Sequence, residues 1–218
     1  SAGVLTVTTS PNFAAKWLVH RLARFAEAHP GIDLRISASL HHVDFAREDV
    51  DLAIRHGDGQ ANGLHVTRLC AEELIVVCSP KLLTGKNAIR KPSDLARHTL
   101  LHINNRTDWV KWLQEVGVEQ IDGPGGPVLN QASMAIDAAV DGQGVALARS
   151  ALATWDLIAG RLVCPFELAL PVPYAYWIVC PKATAKLPKI AIFRDWLLSE
   201  AAVDERQLSG TSTTKKTP

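Results

Sequence analysis

The sequence predicts an α/β fold with mainly parallel sheets, divided into two lobes. Apolar, strand-like runs alternate with amphipathic, helix-like segments along almost the whole chain, which is the pattern of repeated β-α-β units. Glycine or proline marks the ends of most of these segments. Two similar apolar runs that end in proline, residues 74–80 and 176–181, flank one complete α/β set. We therefore expect the chain to cross twice between the lobes, with a ligand cleft and a hinge between them.

The first part of the chain has the order βαββ. Alternating apolar and polar residues predict strands over residues 4–8, 32–36 and 50–54. Ser10 and Pro11 follow the first strand, and these residue types favour the N-cap and the first position of a helix. Apolar residues at helical spacing predict one helix from Phe13 to Ala28, which the His-Pro-Gly sequence at 29–31 ends.

The rest of the chain continues the alternation and predicts the domain boundaries. Further strands are expected over residues 100–103, 128–129 and 145–148, and further helices over residues 107–117, 134–140, 150–160 and 190–197. The two crossing strands assign residues 1–78 and 180–203 to subdomain I and residues 79–179 to subdomain II. Residues 204–218 are polar and poor in apolar side chains, so we expect them to form a disordered tail.

Composition and charge exclude several classes of function. The 218 residues carry 23 Lys and Arg against 22 Asp and Glu, a net charge of +1, and no stretch concentrates the basic residues. We therefore do not expect this chain itself to bind a nucleic acid backbone. No apolar run approaches the roughly 20 residues that cross a bilayer, and the N-terminal segment does not follow the order of a secretory signal. These features predict a cytoplasmic protein without membrane contact.

The sequence carries no catalytic signature and no convincing metal site. It lacks the nucleophile elbow, the Walker loop and the zinc-protease motif, so we do not expect an enzyme. The glycines at 57, 59 and 63 follow a third strand, which favours a flexible loop over a dinucleotide site. The histidine pairs at 41 and 42 and at 98 and 102 have no convergent carboxylate or thiolate, and the four cysteines form no Cys-x-x-Cys pair. No cofactor, metal or disulfide framework is expected.

Polar residues that follow the predicted strands are the candidate ligand contacts. In open α/β sheets, ligands bind beyond the carboxyl ends of the strands, where helix N-termini attract anions. Two groups stand out: Ser10, Pro11 and Asn12 in the first lobe, and Asn130, Gln131 and Ser133 in the second. Together they would suit a small carboxylate or another anion. The alternative is that the two serines are only helix caps.

Two further polar side chains are candidates of the same kind. His102 ends a predicted strand and could add a hydrogen-bond donor, although a solvated turn explains the two asparagines that follow it equally well. Tyr176 begins the second crossing strand, where its hydroxyl could reach the cleft. Simple packing of the aromatic ring is the alternative for this tyrosine.

Several short motifs occur together in an order that one family of regulators shares. They are Phe-Ala-Ala-Lys-Trp-Leu at 13–18, His-Pro-Gly-Ile-Asp-Leu at 29–34, Val-Asp-Leu-Ala-Ile-Arg at 50–55, Val-Val-Cys-Ser-Pro at 76–80 and Gly-Gln-Gly-Val-Ala-Leu at 142–147. On these motifs, nearly the whole chain resembles the effector-binding domain of a LysR-type transcriptional regulator. The segments 17–18, 148–150 and 160–163 are similar to the subgroup of the glycine-cleavage activator and the β-lactamase regulator.

The resemblance implies a periplasmic-binding-protein-like fold of type 2, with a small-molecule inducer in the cleft between two α/β subdomains. The inducer would be an organic acid, an amino acid or a peptide-like molecule. Effector contacts carried over from the family would fall near Ser10, Pro11, Asn12, Phe13, Ser39, His102, Asn130 and Gln131.

The resemblance also implies partners. The chain would form a homodimer or higher oligomer, with the helix from Phe13 to Ala28 at the interface. Promoter DNA would be contacted only through an N-terminal winged helix-turn-helix domain, which is absent from this chain. A solute-binding protein of a transport system is the alternative, because the same bilobal architecture serves nutrient uptake. An enzyme on this fold would need a nucleophile and base that the sequence does not offer.

Overall fold

The computed structural model describes residues 3–118, 121 and 125–213, with side chains described to residue 210. Its chain forms two compact units, residues 3–72 with 173–213 (unit 1) and residues 73–172 (unit 2). The chain changes unit inside two long strands, β4 (Leu64–Val77) and β8 (Leu170–Pro181). The boundaries predicted from the sequence, at 78/79 and 179/180, lie later in the chain than the boundaries between the two units at 72/73 and 172/173. The prolines that guided the prediction mark where the strands end, whereas each crossing occurs within a strand.

Unit 1 is built on a sheet with the strand order β2-β1-β3-β8. Its strands are β1 (Gly3–Thr9), β2 (Ile32–Ala38), β3 (Leu52–Gly57) and the second part of β8. The first three are parallel, and β8 pairs with β3 in the antiparallel direction. Along β1, Leu5, Val7 and Thr9 are buried while the residues between them are more exposed, as expected for a strand with one face on the core.

The segment between β1 and β2 is not the single helix that the apolar spacing predicts. It consists of a first α-helical turn, a π-helical turn, a 3₁₀ turn and a final α-helix, over α1 (Pro11–Phe13), Ala14–Leu18, Val19–Arg21 and α2 (Leu22–Ala28). The interruption lies at Arg21, where φ is −121° and ψ is 3°. There the Nε of Arg21 donates a 2.8 Å hydrogen bond to the carbonyl of Trp17.

Unit 2 repeats the α/β pattern on a sheet with the order β4-β7-β5-β6. Its other elements are β5 (Leu100–Ile103), α3 (Thr107–Glu115), β6 (Val128–Leu129), α4 (Ala132–Val140), β7 (Val145–Arg149) and α5 (Ser150–Ile158). β5 is parallel to both of its neighbours, and β7 is antiparallel to β4. The rings of Trp109 and Trp112 meet edge to face at 5.7 Å in the core of this unit, and both are buried. They hold α3 against the sheet.

The C-terminal segment differs from the disordered tail predicted for residues 204–218. Helix α6 (Pro188–Thr213) continues through the first ten of these residues, and residues 214–218 lie outside the described part of the chain. Asp204 is only 6% exposed, and its carboxylate lies 3.0 Å from the guanidinium of the fully buried Arg21. Composition underestimated this segment because a buried ion pair, rather than apolar side chains, fixes it to the rest of unit 1.

Three general expectations can be compared with the described residues. All four cysteines are free thiols there. Within the same part of the chain, no helix is long and apolar enough to cross a membrane. Nor do the described His, Cys, Asp and Glu side chains form a group of three or more that could hold a metal ion.

Candidate functional site

In unit 1, the carboxyl ends of the parallel strands lie at one edge of the sheet and bring several predicted contacts together. The backbone N–H of Ser39, just after β2, donates a 2.9 Å hydrogen bond to the carbonyl of Thr9 at the end of β1. Ser10 follows Thr9 directly. Tyr176 on β8 is paired with His56 near the end of β3. This edge therefore collects Ser10, which the strand-end argument predicts, and Ser39, which the family resemblance implies, beside the end of β1.

The hydroxyls at the end of β1 are the most informative groups at this edge. Ser10 is the N-cap residue by backbone geometry, with φ −65° and ψ 148°, yet its side chain makes no capping hydrogen bond. The Oγ of Ser10 and the Oγ1 of Thr9 are both buried, and neither has a hydrogen-bond partner among the described residues. Buried hydroxyls nearly always have a partner. The alternative that Ser10 is only a helix cap is therefore wrong for its side chain.

A row of aromatic rings lies behind these hydroxyls. Phe13 stacks on Trp17 with ring centroids 5.0 Å apart and meets Tyr176 at 4.6 Å. All three rings are buried, and Asn12 is buried beside them on α1. Phe13 and Tyr176 thus form the apolar base of the edge. Packing, the alternative considered for Tyr176, describes its ring well.

Sequence reasoning missed one hydrogen-bonded pair of polar side chains next to this base. The Nε2 of His56 lies 2.6 Å from the Oε2 of the buried Glu72, and the ring of His56 lies 5.0 Å from that of Tyr176. No motif in the sequence joins these residues, which come from β3 and β4. Only the position of His56 near the end of a strand could have drawn attention to it.

In unit 2, the second predicted group lies at the carboxyl ends of β5 and β6. The N–H of Asn104 donates a 2.8 Å hydrogen bond to the carbonyl of Leu129, so the two strand ends lie side by side. Asn130 is exposed there, and Gln131 is the N-cap residue of α4. Ser133 is the second residue of α4, so the alternative that it caps this helix is wrong, and its role as a ligand contact stays a prediction. The helix begins earlier because the extended backbone of Gln131, rather than a serine, precedes it.

His102 does not point to this group of residues. It lies on β5 on the same side as Leu100 and lines a separate cavity under α3 together with Trp109. The side chain is 6% exposed. Burial lowers the pKa of the imidazole, and the charge of Arg106 lowers it further, so the ring is neutral at pH 7.

The arrangement suits recognition by hydrogen bonds. Hydroxyl and amide side chains, which both donate and accept, line the two strand-end groups. Among the described residues, the imidazole of His56 is hydrogen-bonded to Glu72 rather than to a serine or a cysteine. These hydroxyl and amide groups can bind and orient a polar molecule.

Comparison with known proteins decides the family. Residues 1–202 match the LysR substrate binding domain. The chain belongs to the LysR substrate-binding domain family. It is 46% identical over 205 residues to the glycine cleavage system transcriptional activator of Escherichia coli (strain K12), covering 94% of this chain and 67% of that protein. It is also 36% identical over 197 residues to the transcriptional activator AmpR of Providencia stuartii, covering 90% and 66% of the two chains.

Solved structures agree with this assignment to the LysR family. The effector domain of AmpR from Pseudomonas aeruginosa matches with a TM-score of 0.69 and 33% identity, covering 94% of this chain and 98% of that one. The effector-binding domain of AmpR from Citrobacter freundii matches with a TM-score of 0.69 and 29% identity. The periplasmic-binding-protein-like fold and the effector-binding domain of a LysR-type regulator, both predicted from the motifs, are confirmed. These relatives are transcriptional regulators, so the transport alternative has no support.

Proposed function

We propose that this domain binds a small organic acid, amino acid or peptide-like effector through the strand-end groups of its two units. The two buried hydroxyls of Thr9 and Ser10 carry the proposal. Neither has a hydrogen-bond partner in the described chain, so a bound ligand could supply one. Asn12 in unit 1 and Asn130 in unit 2 add amides that can donate to a carboxylate or accept from an amine. Ser39, Gln131 and Ser133 complete the predicted contacts.

In a full-length regulator of this kind, effector binding would be passed to a DNA-binding domain, and the protein would act in the cytoplasm. An effector shifts the balance between two arrangements only by the difference in its affinity for them. Promoter DNA would be the partner of that other domain, which fits the balanced charge of this one.

Thermal unfolding against a panel of organic acids, amino acids and cell-wall peptides tests the proposal. At a hundredfold excess over Kd, binding adds about 2.7 kcal/mol, which raises Tm by roughly 5 to 10 °C for a domain of this size. Ser10→Ala removes an unpartnered hydroxyl, so it should leave the stability without ligand unchanged and weaken effector binding about tenfold. Asn12→Ala and Asn130→Ala should also reduce the shift.

Ser150→Ala is the matched control. The hydroxyl of Ser150 already accepts a 3.0 Å hydrogen bond from the N–H of Glu73, so its loss should lower stability and leave the effector response intact. A response that survives Ser10→Ala, Asn12→Ala and Asn130→Ala would show that the effector binds elsewhere.

We also propose that the domain forms a homodimer through the exposed side of the segment between β1 and β2. Trp17 cannot serve this purpose, because it is 1% exposed in the single chain and belongs to the core. Val19 is 47% exposed and His20 is exposed beside it. Val19→Arg should therefore shift the sedimentation coefficient towards the monomer, whereas Leu40→Arg, at another exposed apolar residue, should not. Equal behaviour of the two variants would place the interface elsewhere.

A further inference from the structure

We propose that unit 2 carries a second ligand site, a pocket between β5 and α3 that binds a small aromatic carboxylate. The cavity has a volume of about 300 Å³, at the lower end of the range for small-molecule sites. Its lining consists of Leu100, His102, Arg106, Trp109, Val110, Leu113, Ile121 and Gly125. It includes none of the strand-end residues Asn130, Gln131 and Ser133, so it is separate from the effector contacts proposed above.

The walls of this pocket suit a flat apolar group. Leu100 and Leu113 are buried on its sides, and the Trp109 ring forms part of its surface. The indole N–H of Trp109 already donates a 3.0 Å hydrogen bond to the carbonyl of Leu101, so the tryptophan offers only its ring to a ligand. Val110 is 51% exposed, which places a large apolar side chain in solvent at this pocket. An aromatic ring would pack against both residues.

Arg106 supplies the charge that selects an anion. One of its nitrogens, Nη1, donates a 2.8 Å hydrogen bond to the carbonyl of Gly126, which fixes the guanidinium at the pocket. Gly125 lies so close that a Cβ there would overlap the guanidinium. No carboxylate of the described residues forms an ion pair with Arg106. A fixed guanidinium with unused N–H donors is suited to a ligand carboxylate, which it can bind through two parallel hydrogen bonds.

His102 provides a second, independent indication that a polar ligand group belongs here. Its imidazole is more than nine-tenths buried, and its Nδ1 has no hydrogen-bond partner in the part of the chain that the structure describes. A buried ring nitrogen without a partner costs stability unless something binds it. Beside Arg106, a neutral imidazole can donate to a carboxylate oxygen or accept from a hydroxyl of the ligand. The combination of guanidinium, imidazole and indole therefore points to a one-ring aromatic acid.

Titration calorimetry of the whole 218-residue chain with 3-phenylpropionate tests this site, with 3-phenylpropionamide as the matched neutral ligand. We expect binding of the acid, and at least tenfold weaker binding of the amide, because only the carboxylate pairs with Arg106. Arg106→Gln should weaken binding of the acid at least tenfold, and Arg106→Lys should restore only part of it, since lysine lacks the planar fork. His102→Asn should weaken it by a smaller factor.

Two controls separate this proposal from the proposed effector function. Arg97→Gln removes a half-exposed arginine of unit 2 that already pairs with Asp94, and it should not change the affinity for the acid. Asn12→Ala and Asn130→Ala should leave that affinity unchanged within twofold, even if they abolish the effector response. The proposal is overturned if the parent does not bind the acid at about 1 mM, if Arg106→Gln binds it as tightly as the parent, or if Asn130→Ala weakens it as much as Arg106→Gln does.

Discussion

Replacement of Arg21 by methionine should destabilise the domain by about 4 kcal/mol at pH 7, whereas the same change at Arg24 should cost at most about 1 kcal/mol. Both arginines contact Glu200, but Arg21 is fully buried and the side chain of Arg24 is 53% exposed. The guanidinium of Arg21 also lies 3.8 Å from the centre of the Trp17 ring and 3.0 Å from a carboxylate oxygen of Asp204. The pair of variants therefore compares a buried arginine that has several partners with a half-exposed arginine that shares only Glu200 with it.

The magnitude follows from the groups that each change leaves behind. Without Arg21, Glu200 keeps the two hydrogen bonds from Arg24, at 2.9 and 2.7 Å, whereas Asp204 loses the partner that binds both of its oxygens. Loss of one partner of a buried ion pair costs about 3–5 kcal/mol, and loss of the hydrogen bond from the charged guanidinium to the Trp17 carbonyl adds about 1.5–3 kcal/mol. Packing of the methionine side chain recovers about 1.5–3 kcal/mol. The balance is about 4 kcal/mol, or roughly 8 to 16 °C in Tm.

Urea unfolding of the parent and both variants at a series of pH values is the assay. Burial raises the pKa of the Asp204 carboxyl, and the charge of Arg21 opposes that rise. In Arg21→Met the pKa rises further, so the folded state binds this proton more tightly than the unfolded state does. The free energy of unfolding of the variant then falls as the pH rises through the raised pKa of Asp204. The difference in this free energy between the variant and the parent therefore becomes smaller as the pH is lowered towards about 4.

Asp204→Asn in the Arg21→Met background removes the unpaired charge and should recover part of the loss at pH 7. Equal losses for Arg21→Met and Arg24→Met, or a deficit that does not change with pH, would refute the reasoning.

Two other predictions concern a glycine and a thiol. Gly59 has a φ of +84°, and a Cβ there would lie 2.7 Å from the Trp177 ring, whereas Gly63 has a φ of +75° and open space. Gly63→Ala should cost about 1 kcal/mol in urea unfolding and Gly59→Ala at least twice that; equal costs would mean that the ring moves freely aside. Burial raises the pKa of the Cys78 thiol to about 12, so little of it is thiolate at pH 8. A disulfide reagent at this pH should therefore label the half-buried Cys164 well before Cys78, and labelling of both at the same rate would contradict this prediction.

The order of strands and helices could be predicted from the sequence because it depends on local periodicity. The alternation that places Leu5 and Val7 on the core follows directly from the twofold repeat of a strand. Helix α3 begins at Thr107 as predicted, because tryptophans at 109 and 112 and a leucine at 113 form one apolar face. Strand β8 likewise ends at Pro181, where a proline cannot continue the ladder.

The features that could not be predicted depend on partners distant in sequence. Arginine is a good helix former, so nothing local indicates that the helix is interrupted at Arg21, whose side chain forms an ion pair with the distant Asp204. The same pair explains why the helix extends beyond 203. At the candidate site, the positions of Ser10 and Asn130 at strand ends were predictable. The direction of His102 was not, because one residue more or less along β5 reverses the face of the sheet.

The division of unit 1 between the two ends of the chain has a consequence for how the protein is made. Unit 2 is continuous in sequence, so a ribosome can release all of it while unit 1 still lacks β8 and α6. Arg21 and Asp204 are 183 residues apart, which corresponds to about 10 to 40 s of translation. During that time the segment between β1 and β2 carries a positive charge that it cannot bury. This segment is therefore expected to stay solvated, and to be available for chaperone binding, until α6 emerges.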